Sequence, residues 1–399
     1  MRRLSLTAVA LFFALTSVFA QQEYLPAWQE GYMDIHHIAT GKGENSFLVF
    51  PDGTTMLVDC GDETHGRFKC EAYPDSSRTP GQWVAQYIRH FSEGTPCPPG
   101  EVDYFELSHF HSDHMGCLNA MTPGEHYGLC GVTDVCESIH FGKMVDRAYP
   151  DYESVTSNKG VVSEYAKCIA WQRDNRGTVV ERFVPGSHRQ FVLKHNPKAY
   201  RKVFDVFNVA SCGYLATGKG LKTRPMFRED PSKYDENMLS NAFVVRYGRF
   251  RYFSGGDLGG GVANGGDNHW RDFESQVADL TGEVTAMKAN HHGWKEVMNP
   301  YLLCKMKPQV IVAICSHINH PWRATVQRMQ DPLLPVHPDL YLTTDAGRSQ
   351  VGEELFSKLN PQGHVVIRVY EGGTSYQVFV LDARSTEYPV IYKTPVRDL

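Results

Sequence analysis

Six consecutive residues, His109-Phe110-His111-Ser112-Asp113-His114, carry four side chains able to bind a metal ion. Alternate residues of an extended chain point the same way, so His109 and His111 can grip one ion. If the chain then turns, Asp113 and His114 face a second. Imidazole and carboxylate donors with no thiolate suit zinc, with manganese or iron as alternatives. A lone histidine here would be read as structural; four donors in this order, directly after a strand, point to a metal centre.

Further candidates lie along the chain. Asp59 ends the run Met56-Leu57-Val58-Asp59-Cys60-Gly61, Asp257 ends Ser254-Gly255-Gly256-Asp257, and His291-His292 precede Gly293. Strand parity alone does not decide which of His291 and His292 points at a metal. His320-Pro321 precedes a helical stretch, Trp322 to Met329, with Pro321 suited to its first position. His320 at that helix N-terminus would either cap it or favour an anion such as phosphate, and His317 is a weaker candidate. The glycine-rich stretch 255–266 lacks the Gly-Lys-Ser/Thr of a phosphate-cradling loop and reads as a flexible rim.

The HxHxDH string resembles the metallo-β-lactamase superfamily. That resemblance implies metal ligation by His109, His111, Asp113 and His114, a supporting role for Asp59, a bridging carboxylate at Asp257, and a last ligand from His291 or His292, the neighbour facing substrate. Within the superfamily the chain is most similar to the hydrolase domain of ComEC-type competence proteins and to phosphorylcholine esterases. The similar blocks are Asp34 to Gly61, Asn237 to Asp257, Lys288 to Gly293, and Ala313 to Pro321 with its Asn319 and His320-Pro321. The pattern departs at one point. Many superfamily hydrolases carry a further histidine ligand between the HxHxDH motif and the bridging aspartate, and His126, His140, His188 and His195 in that interval sit in no convincing motif. The first metal is therefore expected to keep an open position.

The resemblance implies a four-layer αββα sandwich and two divalent metal ions, zinc before manganese or iron. It also implies a hydrolase of phosphate esters, foremost phosphodiesters, in which the two metals share a hydroxide. Asp113 would orient the water, and His320 or the unliganded member of His291-His292 would stabilise the transition state or protonate the leaving group. An amide or lactone hydrolase and a metal-bound binding protein without turnover are the competing readings. A flavodiiron-type redox enzyme is disfavoured, since that class has a carboxylate where His111 stands.

These residues need strands to aim them. Alternation and turn residues predict strands at Tyr32 to Ile38, Ser46 to Phe50, Thr55 to Asp59 and Asp103 to Leu107, with a helix at Pro80 to Phe91. Two more strands, Ala242 to Arg246 and Arg249 to Phe253, lead to Asp257. A helix at Phe273 to Leu280 and strands at Val284 to Ala289 and Pro308 to Ile314 follow. A hairpin pairs His364 to Tyr370 with Ser375 to Leu381, within a C-terminal unit at 360–399. Residues 120–235 read as a large insertion with a helix near Val161 to Trp171. No internal repeat is present. His36 and His37 fall on a strand, at least one of them in the core, whereas His65 and His269 read as solvated loop histidines.

Composition sets the class. Of 399 residues, 42% are hydrophobic and 21% charged, which excludes a disordered chain, a coiled coil or a collagen-like rod. Residues 1–20, with Arg2-Arg3, the apolar run Leu6 to Phe13 and Val18-Phe19-Ala20, form a signal-peptide pattern, so residues 21–399 are expected as one exported, periplasmic or extracellular hydrolase domain. No segment of that mature part has the ~20 apolar residues of a spanning helix. Loss of two arginines takes the formal charge from −5 to −7, which disfavours nucleic acid as a long-range partner. A small-molecule or polymeric phosphoester is the expected substrate; the sequence does not specify oligomeric state. Ten cysteines in an exported chain suggest disulfides, with Cys130, Cys136, Cys70 and Cys97 the foremost candidates and Cys60 and Cys315 buried thiols.

Overall fold

The computed structural model describes residues 22–64, 71–262 and 269–399; the leader pattern, His65, Cys70 and residues 263–266 of the glycine-rich stretch lie outside them. Strands β1 (Met33–His37), β2 (Ser46–Val49), β3 (Thr55–Val58), β4 (Glu101–Glu106), β5 (His140–Asp146) and β6 (Val179–Arg182) open a ten-stranded sheet. The chain then builds an eight-stranded sheet from β7 (Phe204–Ser211), β8 (Tyr214–Ala216), β9 (Thr223–Pro225), β10 (Ala242–Tyr247), β11 (Phe250–Ser254), β12 (Ala286–Lys288), β13 (Val310–Ala313) and β14 (Asp339–Leu342). It returns to the first sheet with β15 (His364–Val369), β16 (Ser375–Leu381), β17 (Val390–Lys393) and β18 (Arg397–Asp398), β15 pairing antiparallel with β1.

Side-chain alternation explains the layering. Along β2 and β3, Phe47, Val49 and Leu57 face an outer core with helices α1 (Pro80–Phe91), α3 (Gly131–Ser138) and α4 (Lys159–Arg176), α2 being the short turn Ser112–Met115. Their neighbours Leu48, Met56 and Val58 join Phe243, Val245, Tyr252 and Val312 in a core between the sheets. A third cluster packs the far face of the second sheet against helices at Glu274–Thr281, Pro300–Met306 and Arg323–Met329. Both faces of each sheet are covered, which is why strands such as β13 read as continuous apolar runs instead of alternating ones. The result is the expected four-layer αββα sandwich.

Each sheet has an antiparallel part and a parallel part. Strands β3, β4, β5 and β6 run parallel, as do β11, β12, β13 and β14. The loops leaving the carboxyl ends of β3, β4, β11, β12 and β13 carry Asp59, His109 to His114, Asp257, His291-His292 and His320 in turn. In open parallel sheets that edge is where ligands bind.

The stretch 120–235 contributes α3, α4, β5 and β6 to one half of the sandwich and β7, β8 and β9 to the other. The helix within it runs farther than expected, Lys159–Arg176, closed by Gly177 in the left-handed conformation. The helix near His320 begins at Arg323, with Trp322 as its N-cap, so Pro321 precedes the helix and His320 is not at its mouth. Cys97, Cys130 and Cys136 are free thiols, as are the buried Cys60 and Cys315. Cys130 caps α3 and Cys136 lies within it. Six residues along a helix rise about 9 Å, beyond the reach of a disulfide. Both His36 and His37 are buried, bonded to Tyr87 and Tyr252.

Candidate metal centre

His109 and His111 extend from the end of β4, and the chain turns into α2 directly after His111, its N-cap. His109 Nε2 and His111 Nδ1 lie 3.3 Å apart. Asp113 and His114 on the turn face a different point. His114 Nε2 stands 3.1 Å from His292 Nε2 and 3.2 Å from Asp257 Oδ2. His292 Nε2 stands 3.3 Å from Asp113 Oδ2 and 3.5 Å from Asp257 Oδ2. Two donors each 2.0–2.1 Å from one tetrahedral ion are about 3.4 Å apart. His114, Asp257 and His292 have the spacing of a ligand shell, joined by Glu44. His109 and His111 form a pair at that spacing, outside the clusters of three or more donors found among the described residues. Asp257 Oδ2 is also 3.8 Å from His109 Nε2, which puts this one oxygen between the two groups.

The donor chemistry fits a divalent metal. His114 Nδ1 is engaged by Asp59 at 2.8 Å, His292 Nδ1 by the Ile314 carbonyl at 2.8 Å, and His109 Nδ1 by Ser108 Oγ at 3.1 Å. A proton held on each Nδ1 leaves the Nε2 lone pair for a metal. Asp59 is itself fixed by the Ser108 N–H and hydroxyl, both at 2.7 Å. Gly43 and Gly61 let the loop come this close: a Cβ on either would lie 2.4 or 2.0 Å from the Asp113 carbonyl. That carbonyl accepts the Glu44 N–H.

Electrostatics hold the carboxylates ionised. Burial would raise Asp257 and Asp113, but the neighbouring imidazoles His114 and His292 outweigh it, joined at Asp257 by Lys288, and both stay well below the usual carboxylate range. Burial would lower His292, yet Asp257 and Asp113 lift it to about 9 without metal. His109, where burial and the His114 charge act together, is held well below the ordinary histidine value.

The structure separates His291 from His292. Both adopt left-handed backbone, φ 43° and 52°, and Gly293 follows at 76°. Such a conformation costs a non-glycine residue roughly 1–2 kcal/mol, and here it turns the imidazoles to different sides. His292 is fully buried among the donors; His291 is partly exposed, its Nε2 3.8 Å from Asp257 Oδ2 and 3.4 Å from Asn237 Nδ2. His320 is not an exposed anion hook. It is buried, stacked 4.4 Å from His292, and grouped with Asp113 and His292 as a possible donor. Of the interval histidines, His126 stacks on Trp171, His188 pairs with Asp205 and His195 with Asp103.

Two charged residues escaped the sequence reading. Lys288 at the end of β12 is fully buried, its Nζ 2.6 Å from the Gly256 carbonyl, 3.0 Å from Glu44 Oε2 and 3.2 Å from Asp257 Oδ1. Glu44 precedes β2 and comes within 3.5 Å of His292 Nδ1. A lysine before a His-His-Gly string and a glutamate after a glycine turn carry no local sign of this pairing. A cavity of about 820 Å³ lined by Trp28, Asp34, Phe91 and Arg368 shares no residue with the centre.

Two facing sheets, outer helices and a donor cluster at the strand ends where the sheets meet are the architecture of the metallo-β-lactamase fold. Among solved structures the chain is similar to a mutant of the CmlA β-hydroxylase, at 11% identity and TM-score 0.34 over 73% of this chain and 47% of that one; it thus spans about half of that protein. It is similar to the metallo-β-lactamase fold protein YhfI from Bacillus subtilis, at 10% identity and TM-score 0.38 over 85% and 99% of the two chains. Unliganded yeast PDE1 gives 10% identity and TM-score 0.38 over 86% and 100%. No family model and no curated protein matches the chain. Among the described residues no helix is long and apolar enough to cross a membrane.

Proposed function

We propose that the protein is an exported metal-dependent hydrolase of phosphate esters, foremost phosphodiesters, of the ComEC-type and phosphorylcholine esterase-like branch. The observation that carries this reading is Asp257 Oδ2, within 3.2–3.8 Å of His114, His292 and His109, where a carboxylate would be shared by two ions. His109 and His111 with Asp257 would hold the first ion, and Asp113, His114, His292 and Asp257 the second. Two divalent ions, zinc before manganese or iron, would supply an activated water and neutralise charge on the phosphoryl oxygens.

The remaining work falls to the chain. Asp59 fixes the His114 ring, and Lys288 holds Asp257 from behind. Asp113 orients the attacking water, and His291, the partly exposed member of its pair, faces the substrate and stabilises the transition state or protonates the leaving group. His320 supports His292 by stacking. The formal charge argues for a small or polymeric phosphoester over nucleic acid as substrate. The leader pattern supports export.

The test is metal content and turnover measured together on residues 21–399. About two metals per chain, with cleavage of bis-p-nitrophenyl phosphate abolished by chelator and no cleavage of a chromogenic β-lactam, are expected. Metal-loaded protein that turns over a lactam or lactone instead would favour the acyl hydrolase. Metal without turnover on any of these would favour the binding protein.

A further inference from the structure

The geometry points to Asn237 as a substrate-contacting residue that, oriented by His291, binds a non-bridging oxygen of the phosphoryl group on the first-metal side. Asn237 lies on a single turn, Glu236–Leu239, just before β10. That turn is fastened to the metal loop: the Glu236 carboxylate accepts the Phe110 N–H at 3.0 Å, between His109 and His111, and forms a buried ion pair with Arg147. Asn237 is therefore held beside the two first-metal histidines by a contact made to their own backbone. The residue is more than nine-tenths buried.

The Asn237 amide meets His291 at one end, Nδ2 to Nε2 3.4 Å, and its Oδ1 is buried without a hydrogen-bond partner. An orphaned amide oxygen in a buried site costs about 1–3 kcal/mol, which marks a group waiting for a ligand. A half-turn of the amide exchanges its roles. Oδ1 then accepts from the Nε2–H of His291, whose Nδ1 stands 3.6 Å from Glu296 Oε1, and the Nδ2 hydrogens are left for an anion to accept. A neutral carboxamide is a poor ligand for zinc beside imidazole and carboxylate but a good donor to an oxyanion. The inference rests on the phosphoesterase reading above.

The experiment uses the metal-loaded chain and Asn237→Ala, measuring metal content, inorganic phosphate binding by calorimetry, and turnover of bis-p-nitrophenyl phosphate. Asn237→Ala should keep wild-type metal content, bind phosphate about 10- to 100-fold more weakly, and lose roughly 10²-fold in kcat. Loss of one metal equivalent would make Asn237 a ligand and overturn the proposal, as would unchanged phosphate affinity in a folded variant. If Asn237→Ala does not fold, the near-isosteric Asn237→Asp decides: it should hold its metals and lose phosphate binding, and retained binding overturns the proposal. Wild-type protein that holds two metals and binds phosphate but cleaves no phosphodiester would defeat the hydrolase reading alone. The phosphate comparison would still test Asn237.

Discussion

Asp59 Oδ2 lies 2.8 Å from His114 Nδ1, and Asp59 is in turn bonded by both the N–H and the hydroxyl of Ser108. The carboxylate thus fixes a ring whose other nitrogen points at the donor cluster. Asp59 sits at φ 58°, a conformation that asparagine tolerates well. Asp59→Asn should therefore fold normally and bind the second metal about 10–100-fold more weakly. Equilibrium dialysis against a metal buffer measures this directly; wild-type affinity would show that Asp59 does not orient His114.

Removing a ligand should cost more than removing its support. His114→Ala and His292→Ala are each expected to lose the second metal at concentrations that saturate Asp59→Asn. His111→Ala should abolish turnover while its circular dichroism stays native. His320→Ala, which removes a ring stacked 4.4 Å from His292, should keep most of its metal; loss of a metal equivalent would make His320 the ligand that its grouping with Asp113 and His292 allows. Metal analysis of the four purified variants would separate ligands from neighbours.

Lys288 and Glu44 form a fully buried pair beneath Asp257. Deleting one member leaves an uncompensated charge, at a cost of about 3–5 kcal/mol. Lys288→Met should show this in urea unfolding of chelated protein. The double change Lys288→Met with Glu44→Leu should recover part of the loss, since the orphaned Glu44 charge goes too. Equal stability of single and double variants would mean the pair is not coupled.

Glu274 anchors the turn that carries His291 and His292, accepting from Asn290 Nδ2 and the N–H groups of Met298 and Asn299, each at 2.8 Å. Burial pushes its carboxyl from 4.5 up to about 7. A carboxyl whose folded-state pKa is raised binds more protons folded than unfolded between those two values. Its contribution to stability is therefore full below about pH 4.5 and is lost as pH rises towards 7, by roughly 3 kcal/mol in all. The unfolding free energy of Glu274→Gln should have a shallower pH slope in that window than wild type. Parallel slopes would assign the dependence to other groups.

Local rules made much of the scaffold legible. Thr79 and Pro80 set the start of α1 through a capping box. Turn residues, Thr40 to Gly43, Pro51-Asp52-Gly53 and Glu371 to Thr374, located β1, β2, β3, β15 and β16 to within a residue or two. The stretch 120–235 was harder: β6 carries no buried residue and β9 is fully exposed, so neither presents an alternating pattern. Strand β14 went unread for a related reason, being four residues after a proline-rich loop.

The sequence alone made the donor string from His109 to His114 legible through the density of its donors, and the resemblance of the motifs pointed to Asp59 and Asp257, each lying just after a strand. Only the tertiary structure decided what depends on chain segments far apart in sequence. His292, not His291, faces His114 because three left-handed residues turn the loop after β12. Asp257 meets Lys288 and Glu44 because β11 lies against β12 and the loop before β2 crosses the same edge. Asn237 reaches the centre through a Glu236 contact to Phe110, which no spacing encodes. Ligand type is a property of residues and their neighbours; ligand aim is a property of where two sheets, built from segments far apart along the chain, bring their strand ends together.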